Sequence, residues 1–386
     1  MVDKYAFVAA ELERRGRKGL RRRLRPLTPL GGVEVEVEGR RLVDFSSNDY
    51  LGLASHPRVI ARAAEWLHAY GAGGRASRLV CGSHPGFGPV EEKLARLKGR
   101  GSALVFNSGF QANTSLLPAL ADRHSLVLLD RSAHHSLLLG AQAAGCRLRR
   151  FRHSDLDHLR QLLRQHRAAH PQVLIATESV FSMDGDRSEV GALAELAAEY
   201  EALLLVDEAH ATGVLGPGGG GLCMGHPVDL VMGTLGKACG AFGAYVACDA
   251  LLAEYLVNCC AGLVYSTALP PAVLGAADAA LELIPEMDAQ RTQLHNNAEY
   301  LRRALKTQGW DTAASTTQIV PLVVGDSLKA LALASWLESQ GVLAVAIRPP
   351  TVPAGQARLR LGLSALHTRA QLEWLVELLG SWRAQS

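Results

Sequence analysis

The chain has 386 residues, with 40 Lys and Arg against 37 Asp and Glu, 48% hydrophobic and 20% charged. That length can bury a large core plus a smaller second one, and a formal charge of +3 gives no global case for nucleic-acid binding. No apolar leader-like run opens the chain and no stretch of about 18 apolar residues follows, so a soluble, cytoplasmic protein with no membrane partner is expected. The seven cysteines include no C-x-x-C spacing, which reads as reduced cytosolic thiols.

Residues 2–20 predict a helix, with Tyr5, Val8, Leu12 and Leu20 recurring among charges. Its end merges into a basic run, Arg14, Arg15, Arg17, Lys18, Arg21, Arg22, Arg23 and Arg25. Such a run is either a solvated helix face or a landing place for an anionic substrate, and both readings stay open. GGVEVEVEGRRLVDF alternates apolar and polar residues, predicting a strand pair with a tight turn near Gly39. The polar SSNDYLGL follows, then a helix from about Pro57 to Tyr70. Next comes GAGGRASRLVCGSHPGFG, a long glycine-rich loop of the kind that usually carries function, and the helix VEEKLARLKG.

From about residue 103 the pattern becomes strand and helix in alternation: ALVFNS, SLVLLD, RLRRF, VLIATES, LLLVDE, DLVMGT and AYVACD are short, apolar and separated by helical or loop stretches. This predicts an α/β fold whose large domain holds a mostly parallel seven-stranded sheet covered on both faces. Asp130, Glu178, Asp207 and Thr234 all fall at carboxyl ends of such strands, where these sheets bind ligands. A long helix is expected from Pro271 through the 290s. A smaller α+β domain follows, with strands in IVPLVVGD, GVLAVAIRPP and ARLRLGLSA. The expected division is 1–50 as an N-terminal helix and strand segment packing with the small domain, 51–285 as the large domain, and 286–386 as the small one.

Two motifs mislead. DEAH at 207–210 matches a helicase tetrapeptide, but no G-x-x-x-x-G-K-[ST] loop accompanies it. Gly216 to Gly221 fits G-x-G-x-x-G, yet sits mid-chain with no helix-forming run after it. Chemistry gathers elsewhere. Lys237 lies in a glycine-flanked turn, GTLGKACG, among small and apolar residues, where an amine can form a Schiff base with an aldehyde cofactor. Asp207 ends LLLVD and could keep a pyridinium nitrogen protonated. Ser108, Gly109 and Phe110 open a predicted helix, offering N–H groups to a phosphate that Thr234 could also hydrogen-bond. His134 could stack on a flat ring, and Ser182 could bond a phenolic oxygen. Taken singly, each has an ordinary structural reading: a surface lysine, a helix cap, a satisfied histidine. Together they supply every part of a pyridoxal 5′-phosphate (PLP) site.

The series FSSNDYLGL, NSGFQAN, ESVFSMDGD, VDEAHATGVLG, GTLGKACG, YSTALPP and IRPPTVPAGQARLRLGLSALH resembles the α-oxoamine synthase family over nearly the whole chain. The resemblance implies a PLP-dependent transferase of the aspartate aminotransferase-like fold type I. It implies Lys237 as the cofactor lysine, Asp207 at the ring nitrogen, His134 on the ring face, and Ser182 and His210 at the phenolate oxygen. Ser108, Gly109, Phe110 and Thr234 would hold the phosphate. Thr267 would reach the phosphate of a neighbouring subunit, implying a homodimer with shared sites. Arg360 would clamp an amino-acid carboxylate, while Asn48, Arg21 and Thr351 would line the acyl side. FSSNDYLGL and IRPPTVPAG look most like the members that condense L-alanine with a pimeloyl thioester carried on an acyl carrier protein or coenzyme A. A sister activity (glycine C-acetyltransferase, 5-aminolevulinate synthase or sphingoid-base synthase) and a catalytically silent scaffold subunit are the alternatives. One departure is Phe87, where the family loop usually carries a histidine.

Overall fold

The alternating run near the chain start folds as a meander. In the computed structural model, which describes residues 4–385, Thr28–Gly31 (β1), Glu34–Val37 (β2) and Arg40–Asp44 (β3) pair antiparallel. Glu38 and Gly39 make the β2–β3 turn, both at positive φ (52° and 76°), a two-residue geometry whose twist matches the strands it joins. Val35, Val37 and Leu42 bury themselves against Leu343. The preceding helix is shorter than its periodicity suggested, Ala6–Arg17, because Gly19 at φ 62° leads the chain away before Leu20.

All seven expected strands of the large sheet form: Ser102–Phe106 (β4), Leu126–Asp130 (β5), Arg147–Phe151 (β6), Val173–Glu178 (β7), Leu203–Asp207 (β8), Leu230–Thr234 (β9) and Ala244–Cys248 (β10). Their order is β4-β10-β9-β8-β7-β5-β6. Only β10 runs antiparallel to its neighbours, β4 and β9. Every residue of β5, β7 and β10 is buried, as a sheet covered on both faces requires. Edge strand β6 instead carries Arg147, Arg149 and Arg150 exposed, and such charges discourage pairing with another chain. Leu116, Leu117 and Leu120 of the helix Gly109–Leu120 pack on one sheet face with Leu256 of the helix Ala250–Cys259. Because β5, β7, β8 and β9 are parallel, Asp130, Glu178, Asp207 and Thr234 come out on one edge.

Two expectations are corrected. The long helix after Pro271 is broken into Pro271–Leu283 and Asp288–Thr307 by a tight turn at Ile284–Glu286. Pro285 has no N–H to continue the helical ladder, and the carbonyl of Ile284 accepts from Met287 N–H at 3.2 Å and from Arg291 Nη1 at 2.6 Å. GVLAVAIRPP is not one strand: Val342–Leu343 (β12) runs parallel to β3, whereas Ala346–Ile347 (β13) joins a second sheet with Ile319–Gly325 (β11) and Ala357–Gly362 (β14). The chain changes sheets at Ala344–Val345, where Val345 N–H bonds Ser46 Oγ at 2.9 Å.

Two units result. One comprises Asp49–Ser182 and Arg187–Thr292; the other comprises Met1–Asn48, Met183–Asp186 and Gln293–Ser386. Within the second, Arg358 (2% exposed) bonds Asp184, and Thr317 Oγ1 bonds Gly185 O at 2.8 Å. The seven cysteines are free, and no disulfide forms among the described residues. No helix among them is long and apolar enough to cross a membrane.

Candidate active site

The carboxyl edge of the large sheet collects most of the residues singled out above. Asp207, 5% exposed at the end of β8, is held at both oxygens: Asn113 Nδ2 donates to Oδ2 and Ala209 N–H to Oδ1, each at 2.9 Å. Asn113 lies on the helix Gly109–Leu120, four residues after Gly109, and its Nδ2 also reaches Ser136 Oγ at 3.0 Å. Ser136 Oγ in turn sits 2.7 Å from His134 Nδ1. A polar chain thus ties the ring of His134 to the carboxylate of Asp207. His134 is accessible by area, yet the protein packed around it lowers its pKa through desolvation. Asp207 opposes that shift, and Lys237 and His135 add to it.

A second chain holds the lysine. Lys237 Nζ lies 2.8 Å from His210 Nε2, and His210 Nδ1 lies 2.7 Å from the hydroxyl of Tyr50, which is fully buried. The loop carrying Lys237 is short because Gly240, at φ 60°, packs its Cα against the backbone of Leu53 and Ala54; an added Cβ would come within 2.2 Å of Ala54 N.

The start of the helix Gly109–Leu120 is built to receive an anion. Ser108 is its N-cap, with Oγ accepting from Gln111 N–H at 3.2 Å, while Gln111 Oε1 accepts from Asn107 N–H at 3.0 Å. The first N–H groups of a helix, here those of Gly109 and Phe110, have no intrahelical acceptor. Thr234 stands beside them: a Cβ on Gly109 would be 4.0 Å from that of Thr234. Phe110 is half-exposed. Thr267 is exposed, and its carbonyl accepts from Asn107 Nδ2 at 2.9 Å. Ser182 is half-buried in the segment after β7.

The remaining expected residues lie in the other unit, in two places. Arg360 on β14 is 7% exposed, and its Nη1 donates to Asn48 Oδ1 at 3.1 Å. Arg21 and Thr351 border a separate cavity of about 830 Å³ with Arg22, Arg23, Arg25 and Arg348. There Arg22 Nη2 donates to Thr351 Oγ1 at 3.2 Å, and Arg348 bonds Gly19 O. Much of the basic run is already paired: Arg14 and Arg15 with Glu11, Arg17 with Glu13, and Arg25 with Glu338.

Sequence reasoning passed over Tyr50, Asn113, Ser136 and, as a site residue, Glu178. Each lies inside a quoted motif or close to a residue singled out above, but only the tertiary register gives it a partner. Glu178, 3% exposed, pairs in register with Asp207 across β7 and β8. Burial pushes its carboxyl well up, and Asp207 pushes it further.

A lysine amine, a buried carboxylate, an open-ended helix start with a neighbouring hydroxyl, and an uncharged imidazole form a donor set that fits PLP: an aldehyde, a ring nitrogen, a phosphate and a flat ring. No cluster of His, Cys, Asp or Glu among the described residues is arranged to hold a metal ion.

Known proteins agree with that set. A protein from Gluconacetobacter diazotrophicus named 8-amino-7-oxononanoate synthase is 49% identical over 97% of this chain and 96% of its own. One of the same name from Geobacter sulfurreducens is 46% identical over 95% of each. A serine palmitoyltransferase from S. paucimobilis, solved with PLP and myriocin bound, superposes with a TM-score of 0.91 at 28% identity, over 98% of this chain and 97% of that one. An 8-amino-7-oxononanoate synthase from Francisella tularensis superposes at 0.77 with 26% identity, over 89% and 98%. Residues 40–379 match the model for aminotransferase class I and II. With nearly the whole chain covered by that match and by these relatives, the protein belongs to the aminotransferase class I and II family.

Proposed function

We propose that the protein is a PLP-dependent acyltransferase that condenses L-alanine with a pimeloyl thioester, releasing carbon dioxide and the carrier thiol, as an 8-amino-7-oxononanoate synthase. The observation that carries this reading is Lys237 Nζ at 2.8 Å from His210, on the same sheet edge as the doubly hydrogen-bonded Asp207. The relatives at 46% and 49% identity are named for the product 8-amino-7-oxononanoate, which supports this choice of substrates.

PLP, when bound, supplies an electron-withdrawing ring that stabilises a carbanion at the amino-acid Cα. Lys237 would hold its aldehyde carbon, and Asp207 would face its ring nitrogen. Ser108, Gly109, Phe110 and Thr234 would take the phosphate. His134, its pKa lowered by desolvation, would cover the ring, while Ser182 and His210 would serve the phenolate oxygen. Lys237 Nζ then takes the Cα proton of alanine. His210 steadies that amine, and the Tyr50 hydroxyl on Nδ1 fixes which imidazole nitrogen faces it. The Cα attacks the thioester carbonyl; a C–C bond forms, the C–S bond breaks and the thiol leaves. The original carboxylate leaves as carbon dioxide with its bonding electrons left at Cα; Lys237 would return its proton there, and the departing thiolate would take one from water. Arg360 is assigned to that carboxylate, held ready by Asn48, since guanidinium–carboxylate pairs are commonly bidentate. Arg21 and Thr351 are assigned to the acyl carrier, whether acyl carrier protein or coenzyme A, and Thr267 to the phosphate of a partner in a cytoplasmic homodimer.

The test is direct. Purified protein incubated with PLP should show visible absorbance that borohydride bleaches, with the reduced cofactor on Lys237 by mass spectrometry. It should form product from L-alanine with a pimeloyl thioester faster than from glycine or serine with acetyl or palmitoyl thioesters. A clear preference for the second set of substrates would replace this reading with the sister activity.

A further inference from the structure

The carboxyl edge holds a second buried acid for which the reaction above has no use. Glu178 ends β7 directly opposite Asp207 on β8, in parallel register. In-register residues of adjacent parallel strands project from the same sheet face, with backbones about 4.8 Å apart. Two ionised carboxylates at that spacing, 3% and 5% exposed, would repel each other with little water to screen them.

Hydrogen bonding separates the two. Both oxygens of Asp207 accept N–H donors, from Asn113 and Ala209, an arrangement that favours the charged form. Glu178 Oε1 is buried with no hydrogen-bond partner, and the main-chain N–H of His134 lies near the carboxyl. We propose that the pair holds one proton, carried by Glu178, so that the site presents a single negative charge, on Asp207, to a single protonated ring nitrogen. Glu178 is then a positioning residue: as a neutral acid it anchors the backbone of His134 and leaves the charge on Asp207 uncontested. The other charged and titratable groups around it are Asp130 from β5, Lys237 after β9 and the His134 ring. Lys237 favours ionisation of Glu178 and Asp130 opposes it, while burial outweighs both. This assignment rests on Asp207 as the ring-nitrogen partner, but the proton on Glu178 is a property of the protein without cofactor.

Infrared spectroscopy of the apoprotein at pH 8, with and without ¹³C-carboxyl glutamate, tests that property. Exposed glutamates are ionised there, so a protonated-carboxyl C=O band that shifts on labelling reports a buried neutral glutamic acid. The band is expected in wild type and absent from Glu178→Gln. No label-sensitive band in wild type would overturn the proposal, as would its survival in Glu178→Gln. PLP affinity of the apoprotein, read by fluorescence quenching, is the second measurement. Glu178→Gln keeps a neutral acceptor for His134 and should bind PLP within about threefold of wild type, whereas Glu178→Ala should bind at least tenfold more weakly. Equal losses in both variants would mean that the charge of Glu178 matters, and the single-proton assignment would fail. If the band is found but PLP does not bind wild type, the proton assignment stands and the PLP reading falls.

Discussion

The large unit and the smaller one handle polar groups in opposite ways. At the edge of the large sheet, Lys237, His210, Tyr50, Asn113, Ser136, His134 and Asp207 are linked in two chains of hydrogen bonds. Behind them, Lys98 and Glu208, both essentially unexposed, are paired at 2.9 Å, with Lys98 also bonded to Thr212 Oγ1 and Gly220 O. The cavity of the smaller unit instead gathers Arg21, Arg22, Arg23, Arg25 and Arg348 between the chain that follows the first helix and the segment around β13. The contrast fits two tasks. Chemistry at one carbon atom needs groups fixed to within fractions of an ångström, whereas capture of a charged carrier needs field and reach.

The largest expected effect breaks the chain that holds the lysine. Lys237→Ala should lower kcat by more than about a thousandfold, with the melting temperature little changed, because the side chain is only half-buried. Steady-state kinetics beside a thermal melt decides it, and near-normal turnover would remove Lys237 from the reaction.

Next comes the support behind the site. Lys98→Met should cost about 3–5 kcal/mol in chemical denaturation, since it leaves Glu208 buried without its cation. A loss below about 1 kcal/mol would show that water reaches Glu208 and that the large unit is less rigid there than its hydrogen bonds imply.

A third prediction shows that the smaller unit also has a rigid part. His367, 2% exposed, stacks on Phe45; its Nδ1 accepts from Ser364 N–H at 2.9 Å, and its Nε2 donates to Asp44 O at 3.1 Å. Burial lowers its pKa from 6.5 to about 4. The fold therefore holds the neutral imidazole, while the unfolded chain takes up a proton at the ordinary value. Stability from this residue is complete above pH 6.5 and is lost as pH falls toward 4, by roughly 3 kcal/mol. His367→Gln should flatten that acid limb of the stability curve; an unchanged limb would put the proton uptake elsewhere.

The smallest effects sharpen the view of the cavity. Arg21→Ala should raise the KM for the thioester about tenfold and leave the KM for alanine alone. Replacing Arg14, Arg15 and Arg17 together should change it less than about twofold, because each already faces Glu11 or Glu13 on an exposed helix, where ion pairs contribute little. A salt-dependent rise in the triple variant would show that this helix steers the carrier after all.

How much of this was legible in the sequence follows the same divide. The seven strands could be read because β5, β7 and β10 are unbroken apolar runs, and Lys237, Asp207 and Thr234 because they punctuate such runs. Tyr50 and Asn113 could not, since nothing local shows that a hydroxyl in SSNDYLGL meets His210 or that a helix amide meets Asp207. Glu178 was visible at a strand end, but its pairing with Asp207 depends on a register that only the assembled sheet defines. The break at Pro285 was missed because apolar spacing runs on through it. The split of GVLAVAIRPP between two sheets was missed because β12 and β13 share one apolar pattern.

The pairing of β3 with β12 has a consequence for synthesis on the ribosome. Arg40 meets Glu338 across 298 positions, and Val43 lies beside Val342. The meander at the amino end therefore leaves the exit tunnel long before its neighbouring strand exists. Meanwhile Asp49–Ser182 and Arg187–Thr292 emerge in full and can begin to fold, as domains generally do during synthesis. For most of translation, Val43 and its strand edge wait for the last quarter of the chain. A nascent polypeptide stalled before Val342 would expose that edge to other chains, so holdase chaperones should engage it most strongly in this interval.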